Sequence, residues 1–252
     1  MADEQTNKVV LITGAGRRIG KQIARTFHDH HYNVLVHHHK SQEEATLLAA
    51  ELNLKRKGSA VALAFDLREI GNFESFVTNC LSKFNRIDVL INNASTFFST
   101  SLETLHLDQY NELIETNLRA PLFLSKYCAA VMEEGVIINI VDIYGQRPLK
   151  NYSAYSISKA GLDMLTRSLA LELAPRIRVN GVSPGAILWP EDDAGMTATT
   201  KARLLESIPT GELGTALDIA RSALFLASST NYITGQILNV DGGSSIGYNT
   251  VS

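Results

Sequence analysis

The chain has 252 residues, 45% of them hydrophobic and 19% charged, which is enough apolar side chain for the core of one large α/β domain. Its formal charge is −3 and its isoelectric point about 6.2, so no global basic field exists to attract nucleic acid or an anionic membrane. The polar stretch from Met1 to Lys8 and the short apolar run behind it read as neither a signal h-region nor a membrane span, and the expected location is the cytoplasm.

Val9-Val10-Leu11-Ile12 is a continuous apolar run and predicts a strand buried on both faces. Thr13-Gly14-Ala15-Gly16-Arg17-Arg18-Ile19-Gly20 follows it and opens a helix expected from about Ile19 to His30. Glycines in such a turn let the backbone approach a pyrophosphate, and the helix N-terminus supplies N–H groups and partial positive charge. Gly14, Arg17, Arg18, Ile19 and Gly20 are therefore candidate cofactor contacts. The second strand, Val34 to Val36, runs into His37-His38-His39-Lys40-Ser41, with no acidic residue to hold a ribose 2′-hydroxyl. His39, Lys40 and Ser41, with Arg17 or Arg18, can instead surround a 2′-phosphate, so NADPH is the expected cofactor. The alternative is a solvated strand end. No metal site is expected from successive histidines, because neighbouring strand residues point to opposite faces.

Val61 to Phe65 predicts a third strand, closed by Asp66-Leu67, where the Asp side chain and the Leu N–H can meet an adenine edge. Val89 to Ile91 predicts a fourth, ending in Asn92-Asn93-Ala94-Ser95, of which Asn93, Ala94 and Ser95 line a cleft beside the nicotinamide half. Ordinary turn chemistry is the alternative for both strand ends. Val136 to Val141, Ile177 to Val179 and Ile237 to Val240 complete the predicted strands, and stretches of helical period lie between nearly all of them. Such alternation implies right-handed βαβ units: a single-domain, doubly wound α/β (Rossmann) fold over residues 1–252, with a seven-stranded parallel sheet flanked by helices. Ligands bind beyond the carboxyl ends of strands in such sheets, so Pro184-Gly185 is a candidate cofactor contact. The irregular stretch from Pro184 to about Thr200 is a candidate substrate lid, drawn at about residues 186–210. Cys80 and Cys128 read as buried free thiols.

Tyr155 and Lys159, at i and i+4, put a phenol and an ammonium on one helix face. Hydride transfer to a C=O or C=N bond needs an acid for the heteroatom that gains electron density. A tyrosine suits that role if its pKa falls well below the usual ~10, and the Lys159 ammonium is expected to favour the phenolate. Lys159 can also hold the nicotinamide ribose, and Asn117 is a candidate to position a relay water. Asp142 stands upstream of Tyr155 where a hydroxyl residue would usually complete such a set.

With the glycine turn, Asn92-Asn93-Ala94, Asn117, Tyr155, Lys159, Arg178-Val179-Asn180, Pro184-Gly185, Ile233-Thr234-Gly235-Gln236 and Val240-Asp241-Gly242-Gly243 in order, the chain resembles the short-chain dehydrogenase/reductase family across nearly its whole length. The resemblance implies NAD(P) binding, an Asn-Ser-Tyr-Lys catalytic set and often a homotetramer. Asn117, Tyr155 and Lys159 match that set, and Asp142 takes the place of the serine. Arg18 also replaces the middle glycine of Thr-Gly-x-x-x-Gly-x-Gly, and Ser95 the glycine of Asn-Ala-Gly. Together with Phe97 and the His-x-His-Lys-Ser string, these departures look like the pteridine reductase branch. In that branch the arginine matching Arg18 contacts cofactor phosphate and pterin, and an aromatic matching Phe97 stacks the pterin against the nicotinamide. The residues matching Ser95, Asp142 and Tyr155 line the catalytic centre.

The resemblance thus implies NADPH-dependent reduction of dihydropterins, with oxidised pterins or dihydrofolate as further substrates and no nucleic-acid or membrane partner. Asp142 can anchor the pterin edge, orient Tyr155 or pass a proton through it. Phe97 is alternatively a core or lid residue. Trp189, on the supposed lid, either covers the substrate or lies at an interface, and Tyr144 is a further pocket candidate. The rival readings are a carbonyl reductase, such as one acting on 3-oxoacyl carrier protein, and a non-catalytic NADP(H)-binding sensor.

Overall fold

Every residue of β1 (Val9–Ile12) and β4 (Val89–Asn92) is buried, as strands covered by helices on both sides must be. In this computed structural model, which describes residues 7–187 and 197–246, they form the centre of a seven-stranded sheet. β2 (Asn33–His38) and β3 (Ala60–Ala64) extend it on one side; β5 (Gly135–Ile140), β6 (Ile177–Pro184) and β7 (Ile237–Val240) extend it on the other. The order is β3-β2-β1-β4-β5-β6-β7 and all pairings are parallel, which is the expected doubly wound α/β architecture. Strand order reverses between β1 and β4, so a crevice opens at their carboxyl ends.

Alternate residues of one strand feed opposite cores. Val10, Ile12, Val34 and Val36 pack with α1 (Arg18–Asp29), α2 (Gln42–Lys55) and α8 (Ala216–Ser228), through Ile23, Phe27, Leu48, Leu52 and Ile219. Val9, Leu11, Leu35 and Leu90 pack with α3 (Phe73–Phe84), α5 (Ala120–Val131) and α6 (Ser153–Leu173). Phe27 and Phe73 are fully buried, each contributing about 1.5–3 kcal/mol of transfer free energy. Cys80 and Cys128 are free and buried on the α3/α5 side, and burial pushes the Cys80 thiol up to about 12. No described helix is long and apolar enough to cross a membrane.

A buried polar chain ties the sheet to α6. Asn92 Nδ2 donates to Asn139 Oδ1 (2.8 Å) and Ser125 Oγ (3.2 Å), while Asn139 Nδ2 donates to Thr166 Oγ1 on α6 (2.8 Å). Leaving one such group unpaired would cost about 1–3 kcal/mol, so these bonds fix the helix that carries Tyr155 and Lys159.

Three segments differ from expectation. β6 continues past Val179 to Pro184, because β5 pairs with it up to Val182 and β7 up to Pro184. Within the supposed lid, residues 198–206 form a helix, α7 (Ala198–Glu206), capped by Thr197 Oγ1, which accepts the N–H of Thr200 (3.2 Å). Residues 188–196 of that lid, with Trp189, lie outside the described residues. Finally, α4 (Leu107–Ile114) runs into a π-helical turn, Glu115–Arg119, which contains Asn117.

Candidate active site

The turn after β1 is laced to the end of β4. Thr13 Oγ1 accepts the N–H groups of Asn93 and Ala94 (both 2.9 Å), and Asn93 Nδ2 donates to the carbonyls of Thr13 (2.8 Å) and Gly14 (3.1 Å). Gly14 adopts φ +62°, and a Cβ there would lie 3.0 Å from Ala94 Cα. At Gly20 a Cβ would come within 2.4 Å of the Gly14 carbonyl and 2.6 Å of Asn93 Nδ2, so only glycine lets α1 start this close to the turn.

These residues fit the phosphates of a dinucleotide. α1 begins without a side-chain cap at Arg17 and without an acid in its first turn, and α2 begins without a side-chain cap at Ser41. α1 therefore keeps N–H groups and partial positive charge for an anion, whereas Glu43 and Glu44 already stand in the first turn of α2. Ser41 Oγ lies 2.9 Å from where a Gly16 Cβ would stand, which brings the start of α2 over the turn. Lys40 is exposed beside it. Arg18 is exposed and held at φ 47°, a left-handed conformation that costs an L-residue about 1–2 kcal/mol.

Other cofactor candidates are partly committed elsewhere. The Arg17 guanidinium is bonded to Glu44 in the first turn of α2, and Ile19 packs against the α1/α2 core, leaving its backbone to serve a ligand. Asp66 accepts the Arg68 guanidinium on both oxygens (2.6–3.2 Å), which holds its carboxyl down at about 2; His39 Nε2 is 3.6 Å away. The edge expected to meet adenine is thus shared with Arg68, a partner two residues along that the sequence itself displays. Leu67 is buried. Pro184 is buried at the end of β6, and Gly185 donates its N–H to Val240 O (3.0 Å).

At the far end of the same crevice, Asp142 follows β5 and caps a short 3₁₀ turn, Ile143–Gly145, its Oδ1 accepting the Tyr144 N–H (2.9 Å). Its Oδ2 accepts the Tyr155 hydroxyl at 2.6 Å. One turn along α6, the buried Lys159 donates to Ile140 O (3.1 Å), with Nζ 5.8 Å from the Tyr155 ring centroid. Burial raises the Asp142 pKa against the opposing bonds from Tyr144 and Tyr155, and it pushes Lys159 down to about 8. Tyr155 is raised by burial and by the Asp142 charge. The expectation that Lys159 would draw Tyr155 toward the phenolate is therefore reversed: the carboxyl is in hydrogen-bond contact with the phenol and the ammonium is not.

Residues 14–245 match the family described as enoyl-(acyl carrier protein) reductase. Pteridine reductase 1 of Leishmania tarentolae is 33% identical over 98% of this chain and 99% of that protein. The 3-oxoacyl-[acyl-carrier-protein] reductases FabG of Chlamydia muridarum and Staphylococcus aureus are 34% identical over 94% of this chain and 97% of theirs. The chain belongs to the short-chain dehydrogenase/reductase family. It is accordingly an oxidoreductase of the short-chain type, from a family that uses nicotinamide cofactors.

Asn117 occupies the asparagine position of this short-chain reductase's catalytic set, but its side chain is a brace. Its Oδ1 accepts from Ser95 Oγ (3.0 Å) and Thr96 N (2.9 Å); its Nδ2 donates to Thr96 O (3.0 Å) and Ser158 Oγ (3.1 Å). Ser158 in turn donates to the Tyr155 carbonyl (2.7 Å). All four hydrogen-bonding positions of the amide are used, so the side chain locks the Ser95–Thr96 segment onto the catalytic helix and leaves only the Asn117 backbone to meet a relay water.

Phe97 is 53% exposed, which excludes the core reading. Its ring stacks on Tyr152 (4.7 Å, 14°) and meets Tyr155 edge-on (4.7 Å, 80°). Tyr152 was not singled out from the sequence, although at i−3 from Tyr155 it shares a face with it. Ser158 left no comparable signal. Tyr144 lines a cavity of about 240 Å³ with Ile143, Arg147, Leu149, Ala186 and Leu204, a wall that does not include Asp142, Tyr155 or Phe97. Among the described residues, no cluster of His, Cys, Asp or Glu is suited to a metal ion.

Proposed function

We propose that this short-chain reductase is an NADPH-dependent pteridine reductase, converting dihydropterins to tetrahydropterins and accepting oxidised pterins or dihydrofolate as further substrates. The observation that carries the reading is the 2.6 Å bond from the Tyr155 hydroxyl to the Asp142 carboxyl, in the place where a serine would serve a simple carbonyl reductase. NADPH, when bound, supplies the hydride. Tyr155, kept as a neutral phenol by burial and by Asp142, passes its proton to the ring nitrogen beside the reduced carbon. Asp142, whose pKa burial raises, takes up a proton from solvent once the phenol has given up its own and passes it to the phenolate across the 2.6 Å contact, restoring the starting hydrogen bond. The Lys159 ammonium limits the cost of negative charge on the pair. A pterin is flat and polar, and the half-exposed Phe97 ring offers it a stacking surface at the mouth of the site.

NADPH is favoured over NADH because His39, Lys40 and Ser41 follow β2 where an acid would hold the 2′-hydroxyl. The FabG relatives, as similar as pteridine reductase 1, support a carbonyl-reductase reading as the rival. NADPH and NADH oxidation measured with dihydrobiopterin and with an acetoacetyl thioester decides between them. Turnover of the pterin with NADPH is expected; turnover of the thioester alone overturns the pterin assignment. Cofactor binding without turnover of either class would leave a sensor.

The proposed assembly is a homotetramer in the cytoplasm. Ile157, Met164 and Leu171 recur at sevens along α6 and are exposed, with Leu122 and Val131 exposed on α5, as faces for further copies of the chain would be. Light scattering should return four times the 27.6 kDa chain mass; a monomer would contradict it.

A further inference from the structure

His37 is buried at the carboxyl end of β2, and both its ring nitrogens are bonded. Nδ1 lies 3.1 Å from the backbone nitrogen of Gly14, and Nε2 lies 3.0 Å from the carbonyl oxygen of Phe65. A backbone N–H can only donate and a carbonyl can only accept, so Nδ1 presents its lone pair and Nε2 carries the proton. The ring is neutral and in one tautomer. Its own carbonyl accepts the Ala15 N–H (2.9 Å), and its edge meets Phe76 of α3 (5.6 Å, 75°), which stacks on Phe65. One residue thereby joins the ends of β1, β2 and β3 beneath the glycine turn.

Gly14 has no side chain to restrict its backbone, and its φ is positive, so hydrogen bonds must hold it. Asn93 grips its carbonyl and His37 grips its N–H. We propose that His37 is a positioning residue for the dinucleotide: by accepting the Gly14 N–H, its imidazole orients the turn so that the following N–H groups and the start of α1 face the pyrophosphate. This rests on the nicotinamide-cofactor reading of the turn and is independent of the pterin assignment. Burial keeps His37 from protonating until about pH 4, so the acceptor persists at neutral pH.

Two substitutions separate the bonds. In His37→Asn the amide oxygen falls near the position of Nδ1 and can still accept from Gly14, but nothing reaches Phe65. In His37→Gln the amide nitrogen falls near Nε2 and can bond Phe65, but Gly14 loses its acceptor. NADPH titrated by fluorescence should bind His37→Asn within about threefold of wild type and His37→Gln about tenfold or more weakly, with similar losses in Tm for both. Wild-type affinity in His37→Gln overturns the proposal, as does a fall in affinity that tracks the loss of Tm in both variants. Wild-type protein that binds no NADPH overturns the cofactor reading and this proposal with it. Should the variants not fold, the ¹⁵N resonances of His37 in the wild-type protein test the same point: an unprotonated, hydrogen-bonded Nδ1 is expected, and a protonated Nδ1 refutes it.

Discussion

Tyr155→Phe should lower dihydropterin turnover by about 10³-fold, Asp142→Ser by about 10²-fold, and the double variant by no more than Tyr155→Phe alone. The reason is the single path between them. Asp142 reaches the substrate proton through the Tyr155 hydroxyl at 2.6 Å, so once the phenol is gone the carboxyl has nothing to relay. NADPH affinity should stay near wild type in both single variants, because the glycine turn and the starts of α1 and α2 are untouched. Stability should move the other way. A carboxyl whose pKa is raised on folding binds its proton more tightly in the native state, so its contribution falls as pH rises through that raised value. At pH 7 Asp142→Ser is therefore expected to unfold at a temperature equal to or above wild type. Turnover numbers and melting curves check both statements, and full pterin activity in Asp142→Ser would remove the aspartate from the mechanism.

Lys159→Met should cost at least about 10²-fold in kcat/KM and also change the shape of the pH profile. Burial pushes the ammonium down to about 8, with Asp142 opposing. The charged form, which limits the cost of phenolate formation, is thus present below pH 8 and lost above it. Wild-type kcat/KM is expected to fall on an alkaline limb with its midpoint near 8. Tyr155, raised well above its usual value, cannot supply that limb. Methionine keeps much of the length of lysine without its charge, so the limb should vanish in the variant while the fold survives. An alkaline limb unchanged in Lys159→Met would assign it to another group.

What the sequence determined by itself was whatever depends on neighbours in the chain. Continuous apolar runs such as Val9–Ile12 and Val89–Ile91 read as strands buried on both faces, and their alternation with helical period leads to the parallel doubly wound sheet. The glycine turn after the first strand and the i, i+4 spacing of Tyr155 and Lys159 are local in the same sense. Asp142 could be recognised as a departure, but not what it touches.

Tertiary structure decided everything that depends on residues meeting from different elements. The direction of the Tyr155 pKa turned on whether the carboxyl after β5 or the ammonium on α6 lay against the phenol. Asn117 became a brace because a π-helical turn brings its amide between Thr96 and Ser158. His37, one of a string of histidines, gained its role only when β1 and β2 paired and set Gly14 over its ring. Hydrogen bonds weaken within a few tenths of an ångström and charge interactions with distance, so these outcomes are set by separations that only the packed sheet and helices establish.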